Sequence, residues 1–154
     1  MFKVILPALL AMLLTAFGFG QGLVNEDSYS ISKALIHGLP RKDDQGLDWD
    51  AFYSGPDVVL KLFFIDGTQV AESPVVKDWD FRSDILEVKL PLTPLRSDGS
   101  KYLIRIYDRD VSSDDLMDES DVFACDVPPG ATILRVHLTK GGNVDLPLVN
   151  GGPE

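Results

Sequence analysis

From residue 29 onward the chain is a succession of short apolar runs of period two, separated by turn-forming residues, and this pattern admits little but β-structure. Tyr29 to Ile36 is a first predicted strand. Val58, Leu60, Leu62 and Phe64 share one face of a second, and Asp66-Gly67 then reads as a hairpin turn. Gln69 to Lys77 is a third, with Pro74 pointing to an edge or bulge. Leu86, Val88 and Leu90 alternate with Glu87 and Lys89 in a fourth; Tyr102, Ile104 and Ile106 alternate with Leu103 and Arg105 in a fifth. Val122 to Val127 is a sixth, Leu134, Val136 and Leu138 define a seventh, and Val144 to Leu148 an eighth. No stretch past residue 28 carries a helical period. Eight short strands with regular turns imply an all-β, antiparallel β-sandwich or barrel.

The 154 residues, 45% of them hydrophobic, suffice for one domain with a packed core. The formal net charge of -10 repels phosphate backbones, so nucleic acid is not an expected partner. Met1-Phe2-Lys3, the apolar run from Val4 to Phe17 and Gly18-Phe19-Gly20 have the form of a secretory signal peptide, with cleavage expected after Gly18 or Gly20. Pro7 and the glycines cut the run short of the ~20 apolar residues of a membrane span. No cysteine follows it, so lipid attachment at a new N-terminal cysteine is not expected, and the chain is read as secreted or periplasmic. The organisation expected is a signal peptide at 1–20, a sandwich domain at 28–148 and a loose tail at 149–154. The single cysteine, Cys125, alternates with Phe123 and Val127 and is expected in the core as a small hydrophobe.

Two connections, Gly38 to Pro56 and Arg109 to Ser120, are too long for tight hairpins, and both are rich in aspartate. Asp108 and Asp110 flank one residue at a strand end, so both carboxylates can point to one side, and Asp115 returns after a short excursion. Asp43, Asp44, Asp48, Asp50 and Asp57 come from the other connection. Crowded carboxylates repel one another and raise their own pKa values. Calcium, which takes six to eight oxygen ligands, removes that conflict. A solvated acidic loop without metal is the plainer alternative.

Leu39-Pro40, an aspartate-bearing loop, then Pro56-Asp57-Val58-Val59-Leu60-Lys61-Leu62 resemble the first half of a C2 domain. Val75-Val76-Lys77-Asp78 resembles that family's third strand. Leu103-Ile104-Arg105-Ile106-Tyr107-Asp108-Arg109-Asp110, followed by Asp114-Asp115-Leu116-Met117, resembles its most diagnostic segment. The resemblance runs over roughly residues 28–148 and implies an eight-stranded antiparallel β-sandwich. It also implies that Asp57, Asp108, Asp110 and Asp115 are calcium ligands, with Asp50 as the remaining one and Asp48 as its rival. The first loop is longer than the family's usual one, Asp118 stands where a glycine is common, and a proline-x-tryptophan before the fourth strand is missing, with only Trp79 nearby. The partners implied are a phospholipid surface reached through calcium, or an envelope or extracellular protein. No catalytic turnover is expected.

The competing calcium template is the EF-hand loop, which Asp108, Asp110, Ser112, Asp114, Leu116 and Glu119 match in part; Ser113 stands where its central glycine belongs, and the flanks are not helical. His37 and His137 lie in no zinc pattern and no nucleophile elbow is present. Trp49, Phe52, Tyr53, Leu116 and Met117 lie beside the expected ligands; they either meet a membrane interface or partner, or fold back to cap the sandwich.

Overall fold

Alternation of apolar and polar side chains is realised in the backbone of a computed structural model, which describes residues 29–49, 55–110, 114–128 and 130–150. The expected signal peptide at 1–20, Asp50, Phe52 and Tyr53 lie outside the described residues. Every regular element described is a strand: β1 (Tyr29–His37), β2 (Val58–Phe64), β3 (Gln69–Glu72), β4 (Ile85–Leu95), β5 (Lys101–Arg109), β6 (Asp114–Glu119), β7 (Phe123–Ala124), β8 (Ile133–His137), β9 (Asn143–Pro147) and β10 (Val149–Asn150).

They form two antiparallel sheets. In the first, β1 is central: β4 pairs along one edge, β9 and β10 along the other, and β8 lies outside β9. In the second the order is β3-β2-β5-β6, with β7 also on β5. The sheets pack over one core. Ile31, Ala34, Ile36, Val88, Val136, Val144 and Leu146 come from the first; Val58, Leu60, Leu62, Tyr102, Ile104, Ile106 and Met117 come from the second. Cys125 is buried with them, and burial raises its thiol pKa.

All eight expected strands are present, two of them short: the third ends at Glu72 and the sixth keeps only Phe123 and Ala124. Two more were not anticipated. β10 carries pairing with β1 through Val149 and Asn150, past the expected end of the domain at 148. β6 lies inside what the sequence suggests is a long loop from Arg109 to Ser120. Its acids hide the strand because basic neighbours compensate them: Asp114 pairs with Lys61 and Arg109, and Glu119 with Arg105. A bulge between Ile106 and Tyr107 in the β5–β6 ladder brings both Met117 and Asp118 under cover.

Two buried serines repair the second sheet where its ladder fails. Ser73, just past the β2–β3 bulge, donates its N–H to the Leu60 carbonyl (2.9 Å), and its Oγ accepts the Leu60 N–H (3.0 Å). Ser120, just past β6, does the same for Ile104, at 2.9 Å for each bond. Each hydroxyl thereby satisfies a buried N–H of a central strand that would otherwise face a side chain. Ser73→Ala and Ser120→Ala are each expected to cost about 1–3 kcal/mol in urea denaturation, whereas Ser32→Ala, at an exposed position, is expected to cost well under about 0.5 kcal/mol.

Candidate functional site

β1 leaves its sheet at His37 and β2 begins at Val58; β3 hands over to β4 between residues 73 and 84; β5 ends at Arg109 and β6 begins at Asp114. The register pairs Val58 with Asp108, Asp108 with Asp115 and His37 with Ile85, so these three connections rise from one end of the sandwich. The β8–β9 turn joins them, since His37 is also opposite Asn143.

The inward parity of β5, Tyr102, Ile104 and Ile106, continues to Asp108, which is 1% exposed. A carboxylate takes the next core position, and its Oδ1 accepts the Asp57 N–H at 2.8 Å. The Arg109 N–H returns a bond of 2.8 Å to the Asp57 carbonyl, clamping the entry of β2 to the exit of β5. Asp57 Oδ1 in turn accepts the Asp78 N–H at 2.9 Å. Asp78 has φ 51°, a conformation aspartate tolerates better than most residues. The Trp79 N–H donates to the Pro56 carbonyl (3.1 Å), and Gly55 lies so close to the Trp79 backbone that a Cβ there has no room. The first and second rim loops are thus fixed to each other through Asp57.

The sequence-expected ligands divide accordingly. The Asp57 N–H meets the Asp108 carboxylate. Asp115 stands opposite Asp108, where cross-strand side chains share a face, and is exposed. Asp110 lies exposed, one residue past the end of β5. Asp48 pairs with Lys42 at 3.6 Å, also exposed. Among the described residues no three His, Cys, Asp or Glu side chains are grouped closely enough to hold a metal ion. Asp57 and Asp108 are hard oxygen donors of the kind calcium takes, tied together through the Asp57 N–H; a closed set of ligands needs further donors.

Arg109, between the two aspartates of its own segment, falls on the outer face. There it bonds Glu72 at 2.7 Å and Asp114 at 3.2 Å, while Lys61 reaches Asp114 at 2.7 Å and lies 4.8 Å from the Tyr107 ring centre. The Lys61 and Arg109 hydrogen bonds hold the Asp114 carboxyl below the usual carboxylate range, and the Arg109 bond does the same for Glu72. Sequence reasoning missed this network; the signal was the odd parity of Lys61, Arg105 and Arg109 in otherwise apolar alternations.

The hydrophobic side chains of the rim mostly turn inward. Trp49 is half-buried, donates Nε1–H to the Pro40 carbonyl at 2.8 Å and packs against the core. Trp79 and Phe81 meet at a tilt of 46° with centroids 4.2 Å apart, and Met117 is fully buried. Leu116 remains exposed. Strands on both sides of residues 108–119 exclude the helix-flanked EF-hand arrangement.

No family model and no curated protein matches the chain. Solved structures do. A calcium-bound structure of extended-synaptotagmin 2 that contains two C2 domains aligns over 81% of this chain and 46% of its own, with TM-score 0.53 and 16% identity. Human GIVD cytosolic phospholipase A2, in complex with a fluorophosphonate inhibitor and terbium chloride, aligns over 81% of this chain and 17% of its own, with TM-score 0.53 and 15% identity. The chain therefore spans less than half of either protein. At these identities the likeness concerns the fold, and the fold is that of a C2 domain.

Depressed carboxyl values contribute stability that is present above the ordinary carboxylate range and is lost as pH falls through the depressed values. Arg109→Gln is expected to raise the pKa values of Glu72 and Asp114, Asp114 less because Lys61 remains. Carboxyl-detected NMR titration reads the shift directly. Urea midpoints from about pH 7 to pH 3 should show the variant less stable than the parent near pH 7, by about 1 kcal/mol or less given the partial exposure of the pairs, with the deficit shrinking as pH falls through the carboxylate range.

Proposed function

We propose that this chain is an exported, non-catalytic C2-type recognition module whose acidic rim takes up calcium and, through it, a phosphate- or carboxylate-bearing surface such as a phospholipid membrane. The observation that carries the reading is the Asp57–Asp108 clamp: the Asp108 carboxylate is held on the Asp57 N–H at 2.8 Å where β2 begins and β5 ends, with Asp115 across from Asp108. Bound there, calcium would supply the positive charge that a chain of net charge -10 lacks at this end, with coordination positions left for an anionic partner. Asp57 and Asp108 act as the fixed donors because strands β2 and β5 hold their backbones. Asp110, Asp115 and either Asp48 or Asp50 are the residues that close on the ion. Arg109 and Lys61 neutralise Glu72 and Asp114 on the outer face, which keeps the surplus negative charge on the rim.

A second reading has its own observation. Asp57 Oδ1 and Asp108 Oδ1 each already serve a backbone N–H, so the clamp holds without an ion. On this reading calcium only stiffens the loops, and the module docks to an envelope or extracellular protein.

Calorimetric titration of calcium into the protein, beside the Asp108→Asn, Asp110→Asn variant, tests the main reading. Asparagine keeps an oxygen acceptor for the Asp57 N–H, so the fold should survive while the charge is lost. Saturable heat with a dissociation constant of order 10⁻⁴–10⁻³ M is expected for the parent, and none for the variant. At ~100-fold excess over that constant, calcium should stabilise the parent by ~2.7 kcal/mol. Equal heats in the two proteins would remove the rim from the account. Calcium binding without recruitment to anionic vesicles would favour the second reading.

A further inference from the structure

β4 is an edge strand: among the described residues β1 is its only hydrogen-bonded strand partner, and β3 of the other sheet approaches it without pairing. From Ile85 to Leu90 it is regular. Leu86, Val88 and Leu90 enter the core, while Ile85, Glu87 and Lys89 point outward and are exposed. Beyond Leu90 the ladder breaks, because Leu90, Pro91 and Leu92 together face Ser32 alone, between the pairs Lys33↔Lys89 and Ile31↔Thr93. The regular edge is thus six residues long; it starts at Ile85, whose N–H and carbonyl are bonded to Ser83 Oγ at 3.2 and 2.7 Å, and it ends at a proline, which has no N–H to offer.

The outward charges of this segment are unbalanced within one molecule. Lys89 stands directly opposite Lys33, a like-charge cross-strand pair, and Glu87 is already bonded to Lys33 at 3.0 Å. Among the described residues Lys89 has no ion-pair partner. The sequence of the edge is, however, complementary to itself. Antiparallel pairing about a twofold axis at Val88 sets Glu87 of one copy opposite Lys89 of the other, twice over. It also sets Leu86 opposite Leu90 and Ile85, 46% exposed, opposite Pro91. Shifting the axis by one residue sets Glu87 against Glu87 or Lys89 against Lys89, so charge selects the register.

We infer that the Ile85–Leu90 edge pairs with the same edge of a second copy, giving a twofold dimer in which the first sheet runs continuously through both molecules. Alternating charge and a terminal proline also describe an edge guarded against association, and the experiment separates the two. The contact is small and the net charge of each copy opposes it, so the dimer is a weak one that populates between about 10 μM and 1 mM. This inference is independent of the calcium reading.

Sedimentation equilibrium of the purified protein over that range should show mass rising from monomer toward dimer. Glu87→Lys and Lys89→Glu, each alone, place like charges opposite one another and should weaken dimerisation about tenfold. The double exchange Glu87→Lys, Lys89→Glu restores opposite pairs and should return the dissociation constant to within about threefold of the parent. Circular dichroism checks the fold of each variant. If a reversal fails to fold, Glu87→Gln and Lys89→Gln take its place, with a smaller weakening of about threefold expected. A parent monomeric up to about 1 mM, or substitutions that leave the mass profile unchanged, would overturn the inference.

Discussion

The acidic end of this molecule depends on a buried carboxylate used as a backbone acceptor. Asp108 continues the inward series of β5 into a position where the pattern calls for an apolar side chain, and it is tolerated because the Asp57 N–H meets it at 2.8 Å. That bond and the returning Arg109 bond set where β2 begins and where β5 ends. Through Asp57 the same arrangement reaches Asp78 and the second rim loop. Loop geometry here is an extension of strand register: seven consecutive pairs from Val58↔Asp108 to Phe64↔Tyr102 fix the rim.

Charge around the rim is sorted by face. The inward parity carries Asp108 and, across the ladder, Asp115. The outward parity carries Lys61, Arg105 and Arg109, each compensated by Glu72, Asp114 or Glu119 on an adjoining strand or the one beyond it. One residue of offset along β5 therefore separates the carboxylate that accepts a backbone N–H from the side chains that neutralise acids on the outer face. The opposite sheet has its own version, where Arg135 grips the buried Asp145 carboxylate at 2.6 and 2.7 Å and holds it below the usual carboxylate range. There the ion pair is complete, and it ties β8 to β9.

Much of the fold was legible because period-two alternation records burial directly. The Val58–Phe64 and Tyr102–Ile106 series identified the two central strands, and their apolar parity is what they bury. β6 was not legible: Asp114, Asp115, Asp118 and Glu119 read as loop, since the lysine and arginines that compensate two of them, and the Thr139 hydroxyl and Lys140 N–H that bond Asp118, lie far away in sequence. The site was legible in kind more than in geometry. Spacing suggested that Asp108 belongs with a rim, and the C2 resemblance that Asp57 belongs there too; the register put the Asp57 N–H on the Asp108 carboxylate. It left Asp110 and Asp115 exposed instead of closing all the acids into one cluster, because spacing along a chain carries no information on which carboxylate a backbone N–H will claim.

The most direct measurement is a calcium titration followed in the backbone amide spectrum of the nitrogen-15-labelled protein. The Asp57, Asp78 and Arg109 amides are expected to move together along one saturable curve, while β8 and β9 amides stay in place, because the carboxylates that take the ion are the acceptors of the Asp57 and Asp78 N–H groups. Stationary Asp57 and Asp78 signals up to about 10 mM calcium, well above the range of extracellular modules, would contradict a calcium site built on this clamp.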